Sequence, residues 1–470
     1  MDEFRLLIDG ALVAGTAELP VVNPATGEAF ACAPRADAAQ LDQAVAAAQN
    51  AFPAWAALGW DDRRGLLNAL ADAMDARFQD FARLLTLEQG KPLDQACFEV
   101  GGSIAALRYF AGLELHDRVL RDTAEERIVE FRTPLGLVAA ITPWNFPLML
   151  LMLKVAPALV AGNVVIAKPA PTTPLTTLLL GEVAAPILPA GVLQTIVDAN
   201  DLGHLLTAHP GVAHVSFTGS TATGKKVLAS TADGLKRSTL ELGGNDAALV
   251  LDDADVDAVA PAIFRAATLN AGQICLAAKR IYAPAALYDR LCDALAKLAG
   301  EAVVGDGLEQ GTQIGPIQNR LQFEKLLGYL AEAQKSGRVM AGGKRLDRDG
   351  FFVPPTVVRD IPDDSSLVSE EQFGPIIPVL PYDSLDDAIA RINASDYGLG
   401  GTIWTSDAAR GEAVARRIES GTIWVNRHLD LPFDVPFGGA KQSGIGRQQG
   451  IEGLEEFTQA RVVNVNLGVL

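Results

Sequence analysis

A cysteine, Cys275, stands in the run Leu269-Asn270-Ala271-Gly272-Gln273-Ile274-Cys275-Leu276, and Glu241 stands 34 residues earlier in Glu241-Leu242-Gly243-Gly244-Asn245. A lone thiol flanked by Gly-Gln, with a carboxylate able to reach it from a separate loop, supplies a nucleophile and a base for chemistry at a carbonyl carbon. Attack of that kind leaves a thioester, so the pair predicts covalent catalysis. Packing also explains a cysteine, since free Cys is among the most buried residue types. The residues around the pair have to decide between the two readings.

With 470 residues, the chain has material for two or three domains, and 49% apolar content supplies a large interior. A formal charge of −18 excludes the basic stripe that a nucleic-acid partner requires. Four scattered cysteines, Cys32, Cys97, Cys275 and Cys292, suggest neither a disulfide framework nor a zinc knuckle, and a reducing cytoplasmic setting is expected. The opening Met1-Asp2-Glu3 lacks the basic and apolar regions of a secretory leader. The most apolar window, Leu148 to Val160, is interrupted by Lys154 and Pro157 and reads as a buried helix, too short to span a membrane. His116, His204, His209 and His214 lack paired ligand spacing, so no metal is expected.

The elements that must position the pair alternate between helix and strand. Residues 37–113 read mainly as helices, opening on a capping box at Asp37 and Gln40, with Ala44, Val45, Ala48, Phe52 and Trp55 at helical spacing. Leu66, Leu70, Phe78, Phe81 and Leu85 continue the pattern. Buried strands are predicted at Leu137–Thr142, Asn163–Lys168, Leu193–Val197, Ala213–Thr218 and Ser238–Leu242, with helices between them. That order implies βαβ units and a mainly parallel sheet, on which ligands bind at the carboxyl ends of strands. A second α/β series carries strands at Ala247–Leu251, Arg280–Ala283, Ile376–Pro381, Gly401–Trp404 and Thr422–Asn426. Arg127–Arg132 and Arg461–Leu470 alternate like exposed strands, whose open edges a second subunit can cover.

Phe217-Thr218-Gly219-Ser220 follows a predicted strand and opens a predicted helix, where free N–H groups suit a phosphate. The loop approaches a nucleotide-triphosphatase pattern, but Lys226 occupies the place of the magnesium-binding hydroxyl. A plain strand-to-helix turn explains it equally well.

Seven motifs then fall in one order: Pro143-Trp144-Asn145-Phe146-Pro147, Lys168-Pro169, Phe217-Thr218-Gly219-Ser220, Glu241-Leu242-Gly243-Gly244, Gly272-Gln273-Ile274-Cys275, Glu371-Gln372-Phe373-Gly374-Pro375 and Pro436-Phe437-Gly438-Gly439. Over nearly its whole length the chain resembles the aldehyde dehydrogenase superfamily. The resemblance implies an α/β fold with a Rossmann-like cofactor-binding domain (residues 1–115 and 134–242), a second α/β catalytic domain (243–440) and a small β oligomerisation arm (116–133 and 459–470). It implies Cys275 as nucleophile, Asn145 with the Cys275 N–H as oxyanion donors, and Glu241 as the base that releases a carboxylic acid. On the cofactor side it implies Lys168 at the adenosine ribose, Gly219 and Ser220 at the pyrophosphate, Glu371 at the nicotinamide ribose and Phe373 against its ring. Ile141, Trp144, Leu242 and Gln322 would line the rest of that cleft.

Those roles make demands on the surroundings. A free thiol titrates near 8.5, leaving about 3% thiolate at pH 7, so Cys275 needs a helix amino end or the positive nicotinamide beside it. A solvated glutamate titrates near 4.3, so a basic Glu241 needs an apolar pocket.

Two residues depart from the family pattern. Pro171 stands three residues after Lys168, where members that prefer NAD often carry an acid, so NAD is expected with NADP possible. Gln448 stands where relatives often carry a glutamate suspected of relaying protons.

The expected substrate is a non-polar aliphatic or aromatic aldehyde, because the family places some of the side chains Leu148-Met149-Leu150-Leu151-Met152-Leu153 in its substrate tunnel. Arg427 and His428 near the tunnel mouth read either as a device steering an anion or as a solvated loop. A homodimer or homotetramer is expected. The alternatives are a CoA-acylating dehydrogenase, which usually lacks the glutamate at 241, and a non-catalytic binding or structural relative. A cysteine hydrolase finds no Cys-His signature.

Overall fold

The computed structural model describes residues 3–468, so the last two residues of the predicted C-terminal strand, 469 and 470, lie outside the described residues. The strands read from sequence in the first half form as Leu137–Ile141, Val164–Lys168, Leu193–Thr195, Val212–Thr218 and Arg237–Glu241. They are parallel and lie in the order Leu193–Thr195, Val164–Lys168, Leu137–Ile141, Val212–Thr218, Arg237–Glu241. The order reverses direction at Leu137–Ile141, and the crevice beside that strand's carboxyl end is the switch point where ligands bind such sheets.

Short antiparallel strands extend both edges of this sheet. Leu6–Ile8 pairs with Leu193–Thr195 and carries Ala11–Val13 outside it, while Gly444–Ile445 returns from late in the chain to pair with Arg237–Glu241. None of the three was read from sequence, because two- and three-residue strands are too short to show a period.

The second sheet has seven strands in the order Arg338–Ala341, Thr356–Arg359, Ile376–Tyr382, Arg280–Pro284, Ala247–Val250, Gly400–Trp404, Thr422–Val425. All pairings are parallel except that of Arg338–Ala341. Its side chains sort by the twofold period of a strand. Ala247 and Leu249 pack into a core with Tyr282, Phe323 and Leu380, whereas Ala248 and Val250 enter a separate core with Ile263, Ile281 and Leu291 on the other face. Burial on both faces is why these strands read as unbroken apolar runs.

The predicted N-terminal helices form as Ala38–Ala56, Trp60–Ala76, Phe78–Gln89 and Leu93–Ala111. Asp37 accepts a hydrogen bond from the Gln40 N–H at 2.9 Å, but the Gln40 side chain reaches Ala14 O instead of turning back, so only half of the capping box exists. Trp55, Phe81 and Phe110 are buried in the core under the first sheet. Leu148 to Val160 lies within the helix Pro147–Val160, which wholly buries Lys154.

Thr458–Asn466, Glu126–Pro134 and Arg118–Asp122 form a separate three-stranded antiparallel sheet. Val119, Leu120, Val462, Val463, Val465 and Leu467 stand exposed on it or at its end. No helix among the described residues is long and apolar enough to cross a membrane.

Candidate active site

The carboxyl ends of the first sheet face the amino ends of the second. Asn145 follows Leu137–Ile141, Gly219 and Ser220 follow Val212–Thr218, and Lys168 and Glu241 each end a strand. Register aligns them: Ile141 pairs with Lys168 and with Phe217, and Thr218 pairs with Glu241. From the other sheet, Asp246 directly precedes Ala247–Val250, Cys275 comes shortly before Arg280–Pro284 and Glu371 shortly before Ile376–Tyr382. Ligand-facing amino ends in the second sheet were not expected from sequence.

The Cys275 loop is held in an unusual backbone. Asn270, Ala271 and Gly272 have φ of 51°, 55° and 71°. An L-residue in that region costs about 1–2 kcal/mol, which Asn tolerates and Gly avoids. At Gly272 a Cβ would also lie 2.5 Å from the Gly374 backbone, so only glycine fits. Polar clamps hold the strain: Asn270 N donates to Gln95 Oε1 at 3.0 Å, Gln273 Nε2 to Asn270 O at 2.9 Å, and Lys279 Nζ to Ile274 O at 2.9 Å and Cys275 O at 2.5 Å. Gly244 permits the hinge strand to pass close by, since a Cβ there would stand 2.6 Å from Cys275 O.

Burial pushes the Cys275 thiol up to about 12, with Lys279 opposing and Glu371, Asp246 and Glu241 adding to the rise. No helix begins at Cys275, since a short 3-10 turn, Leu269–Gly272, precedes it and the next helix starts at Ala285. The cysteine loop itself therefore offers no helix amino end to favour a thiolate, and burial favours the protonated thiol.

Glu241 is buried, and neither carboxylate oxygen has a hydrogen-bond partner among the described residues. Burial pushes its carboxyl up to about 8, against the attraction of Lys154 and Arg447. This is the direction a general base requires. Sequence reasoning treated Lys154 only as a break in an apolar window. Its ammonium is buried with Nζ 3.3 Å from Ser216 Oγ, and burial lowers it to about 7 against the pull of Glu241. The signal was the lysine's presence in a helix otherwise almost wholly apolar.

Asn145 is buried, and its Nδ2 donates one N–H to Gln273 O at 3.0 Å, leaving the second uncommitted. Lys168 is buried against Asp198, Nζ to Oδ1 at 2.6 Å, rather than solvated at a strand end. Ser220 caps the helix Thr221–Thr231, its Oγ accepting from Thr223 N at 3.3 Å, so Gly219 and Ser220 sit at a helix start. Glu371 accepts from Gly244 N at 2.9 Å and lies 3.7 Å from Lys279 Nζ. Phe373 packs edge-on to Trp144 with centroids 5.4 Å apart. Gln322 donates to Gln372 O at 2.8 Å and to Phe373 O at 3.0 Å, so its amide anchors that loop. Ile141 and Leu242 are buried at the strand ends. Gln448 is also buried, with its Nε2 unpaired among the described residues.

An apolar cluster of Ile274, Leu276, Leu399 and Trp424, with Phe146, Leu429, Leu431 and Phe437 against it, surrounds Cys275. Within Leu148–Leu153 only Met149 and Leu150 are half-buried, and the other four are buried. Arg427 is bridged to Asp430 at 2.5 Å. His428 Nε2 lies 2.6 Å from Leu276 O, and burial lowers the ring to about 4, so it is neutral and does not steer an anion.

Residues 12–463 match the model of the aldehyde dehydrogenase family. The chain belongs to that family. It is 42% identical to an aldehyde dehydrogenase LUC3 from a Fusarium species over 94% of both chains. It is 37% identical to geranial dehydrogenase from Castellaniella defragrans over 98% of this chain and 99% of the other. A solved NAD+ complex of an aldehyde dehydrogenase from Bacillus cereus superposes with a TM-score of 0.97 at 34% identity, covering 99% of this chain and 97% of that one. The fold is that of an aldehyde dehydrogenase throughout, and the protein is an enzyme of that kind.

Proposed function

We propose that this aldehyde dehydrogenase oxidises a non-polar aliphatic or aromatic aldehyde to its carboxylic acid with NAD+. The observation that carries the reading is the pairing of a nucleophile and a base across two loops. Cys275 lies in an apolar cluster, and Glu241 is buried at a strand end with both carboxylate oxygens unpaired among the described residues.

The donor and acceptor set fits a dinucleotide. The first turn of Thr221–Thr231 offers unpaired N–H groups to phosphate, and Glu371 offers carboxylate oxygens to ribose hydroxyls. Lys168 brings an ammonium already neutralised by Asp198, which favours a plain ribose over one bearing a 2′-phosphate. When bound, NAD+ supplies the acceptor for the hydride of the aldehyde carbon and a positive charge that a protonated thiol lacks.

With the thiol proton passed to water, the Cys275 sulfur bonds to the aldehyde carbon as the C=O π bond breaks onto oxygen, and the oxyanion that forms is met by the free N–H of Asn145 Nδ2 and by the Cys275 backbone N–H. Once oxidised, the carbon is held as a thioester on Sγ. Glu241 takes a proton from water, the resulting hydroxide attacks the thioester, and the C–S bond breaks to release acid and thiol. Met149, Leu150, Phe146 and Phe437 would pack an apolar substituent.

Purified protein is to be screened for reduced nicotinamide with aliphatic, aromatic and semialdehyde panels, with each dinucleotide and with and without CoA. The expected result is CoA-independent acid formation from apolar aldehydes, lost in Cys275→Ala. Acyl-CoA as the product would favour the acyl-transferring class, and turnover surviving in Cys275→Ala would end the proposal.

A further inference from the structure

Helix Leu93–Ala111, read from sequence only as core packing, carries a polar device beside the site. Lys91 precedes it, and both Lys91 and Glu99 are wholly buried with Nζ and Oε2 2.5 Å apart. A charge pair this dry is costly to assemble and is destabilising to break, so its presence asks for a use.

Its contacts converge on one loop. Lys91 Nζ donates to Asn145 O at 2.9 Å and sits 3.6 Å from the centre of the Phe146 ring. Glu99 Oε1 accepts from Leu148 N at 3.0 Å and Met149 N at 3.2 Å, the open N–H groups of the helix that follows Asn145. Asn145 O takes a second hydrogen bond from Asn270 Nδ2 at 3.0 Å. One turn before Glu99 on the same helix face, Gln95 accepts from Asn270 N at 3.0 Å. A single helix therefore grips the amide loop through Glu99 and the cysteine loop through Gln95.

We propose that Lys91 and Glu99 are positioning residues that set the Asn145 amide at the height of the oxyanion formed on Cys275. The inference rests on the proposed acyl chemistry but not on the cofactor. Displacing a donor by about an ångström costs on the order of a hundredfold in rate.

The test is a double-mutant cycle read on two reactions: aldehyde oxidation, and acylation of Cys275 by an activated phenyl ester. In the ester reaction, sulfur displaces phenolate with no dinucleotide present. Lys91→Met combined with Glu99→Gln replaces the ion pair by neutral groups of similar size. Lys91→Arg, which keeps the charge pair while shifting the donor on Asn145 O, serves if the neutral pair fails to fold. In the wild-type background we expect roughly a hundredfold loss of acylation rate on both reactions, with dinucleotide affinity within about twofold. In an Asn145→Ala background the same change should cost almost nothing more, because its effect passes through the missing amide. Equal losses in the two backgrounds, or no loss in the first, would overturn the inference. Ester acylation without aldehyde oxidation would sink the proposed function while leaving this cycle readable. A wild-type thiol acylated by neither substrate would defeat both.

Discussion

The ammonium of Lys168 stands 2.6 Å from the carboxylate of Asp198, and both side chains are nearly sealed from solvent. The acid expected three residues after Lys168 is replaced by Pro171, yet a carboxylate reaches the same lysine from the loop after strand Leu193–Thr195. Its other oxygen accepts from Leu202 N at 2.9 Å. Asp198→Asn retains that acceptor and leaves Lys168 an unpaired cation, able to attract a 2′-phosphate. The ratio of kcat/KM for NADP+ over NAD+ should rise by about tenfold, a change of about 1.4 kcal/mol. An unchanged ratio would remove Asp198 from coenzyme choice.

Glu241, pushed up to about 8, is protonated at neutral pH in most molecules. Thioester hydrolysis should therefore rise with pH until about 8 and then level off. Glu241→Gln should form about one equivalent of reduced nicotinamide and stall as the acyl-enzyme, seen by intact-mass spectrometry. Steady turnover in that variant would assign the base elsewhere.

The same shift carries a stability cost whose sign is fixed by linkage. The folded state holds the Glu241 proton to about 8 whereas the unfolded chain loses it near 4.5, so the stability tied to this group falls as pH rises across that interval. Glu241→Gln should raise the unfolding free energy by a few kcal/mol at pH 8, with order-of-magnitude precision, and change it little at pH 4. Denaturant melts at the two pH values check this, and a gain equal at both would deny the burial penalty.

The Cys275 thiol, pushed up to about 12 by burial, is overwhelmingly protonated at pH 7. Alkylation of Cys275 in the free protein should be very slow and should accelerate at least about tenfold on adding NAD+, whose ring charge favours the anion. Cys32 is exposed and Cys97, like Cys275, is half-buried, so the modified peptide has to be identified by mass spectrometry. Rapid labelling of Cys275 without dinucleotide would contradict the burial argument.

Val463 and Val465 project from one face of the C-terminal strand Thr458–Asn466, 48% and 42% exposed. If a second subunit covers this edge, paired substitution to aspartate should lower the mass in light scattering, because a like-charged face cannot cover a neighbour's apolar strand. An unchanged mass would place any subunit contact elsewhere.

From its residues alone the chain declared every parallel strand but Thr356–Arg359 to within a residue or two, since strands buried on both faces read as apolar runs. Short local motifs pointed to Cys275 and Glu241, and the family resemblance those motifs carry pointed to Asn145. The three short edge strands of the first sheet escaped because they are too short to show a period, and Ala17–Asn23, Glu28–Arg35, Arg118–Asp122, Arg338–Ala341 and Thr356–Arg359 were not read either. What only the tertiary structure decided was the charged company of those motifs: Lys154 and Lys279 beside base and thiol, Asp198 on Lys168, and Lys91 with Glu99 behind Asn145. Burial, not composition, singled out Met149 and Leu150 from an apolar run. Such pairings arise through Coulomb attraction in a dry interior, whether the residues are near or far along the chain. They leave no periodic trace in a sequence and exist only once the two sheets meet end to end.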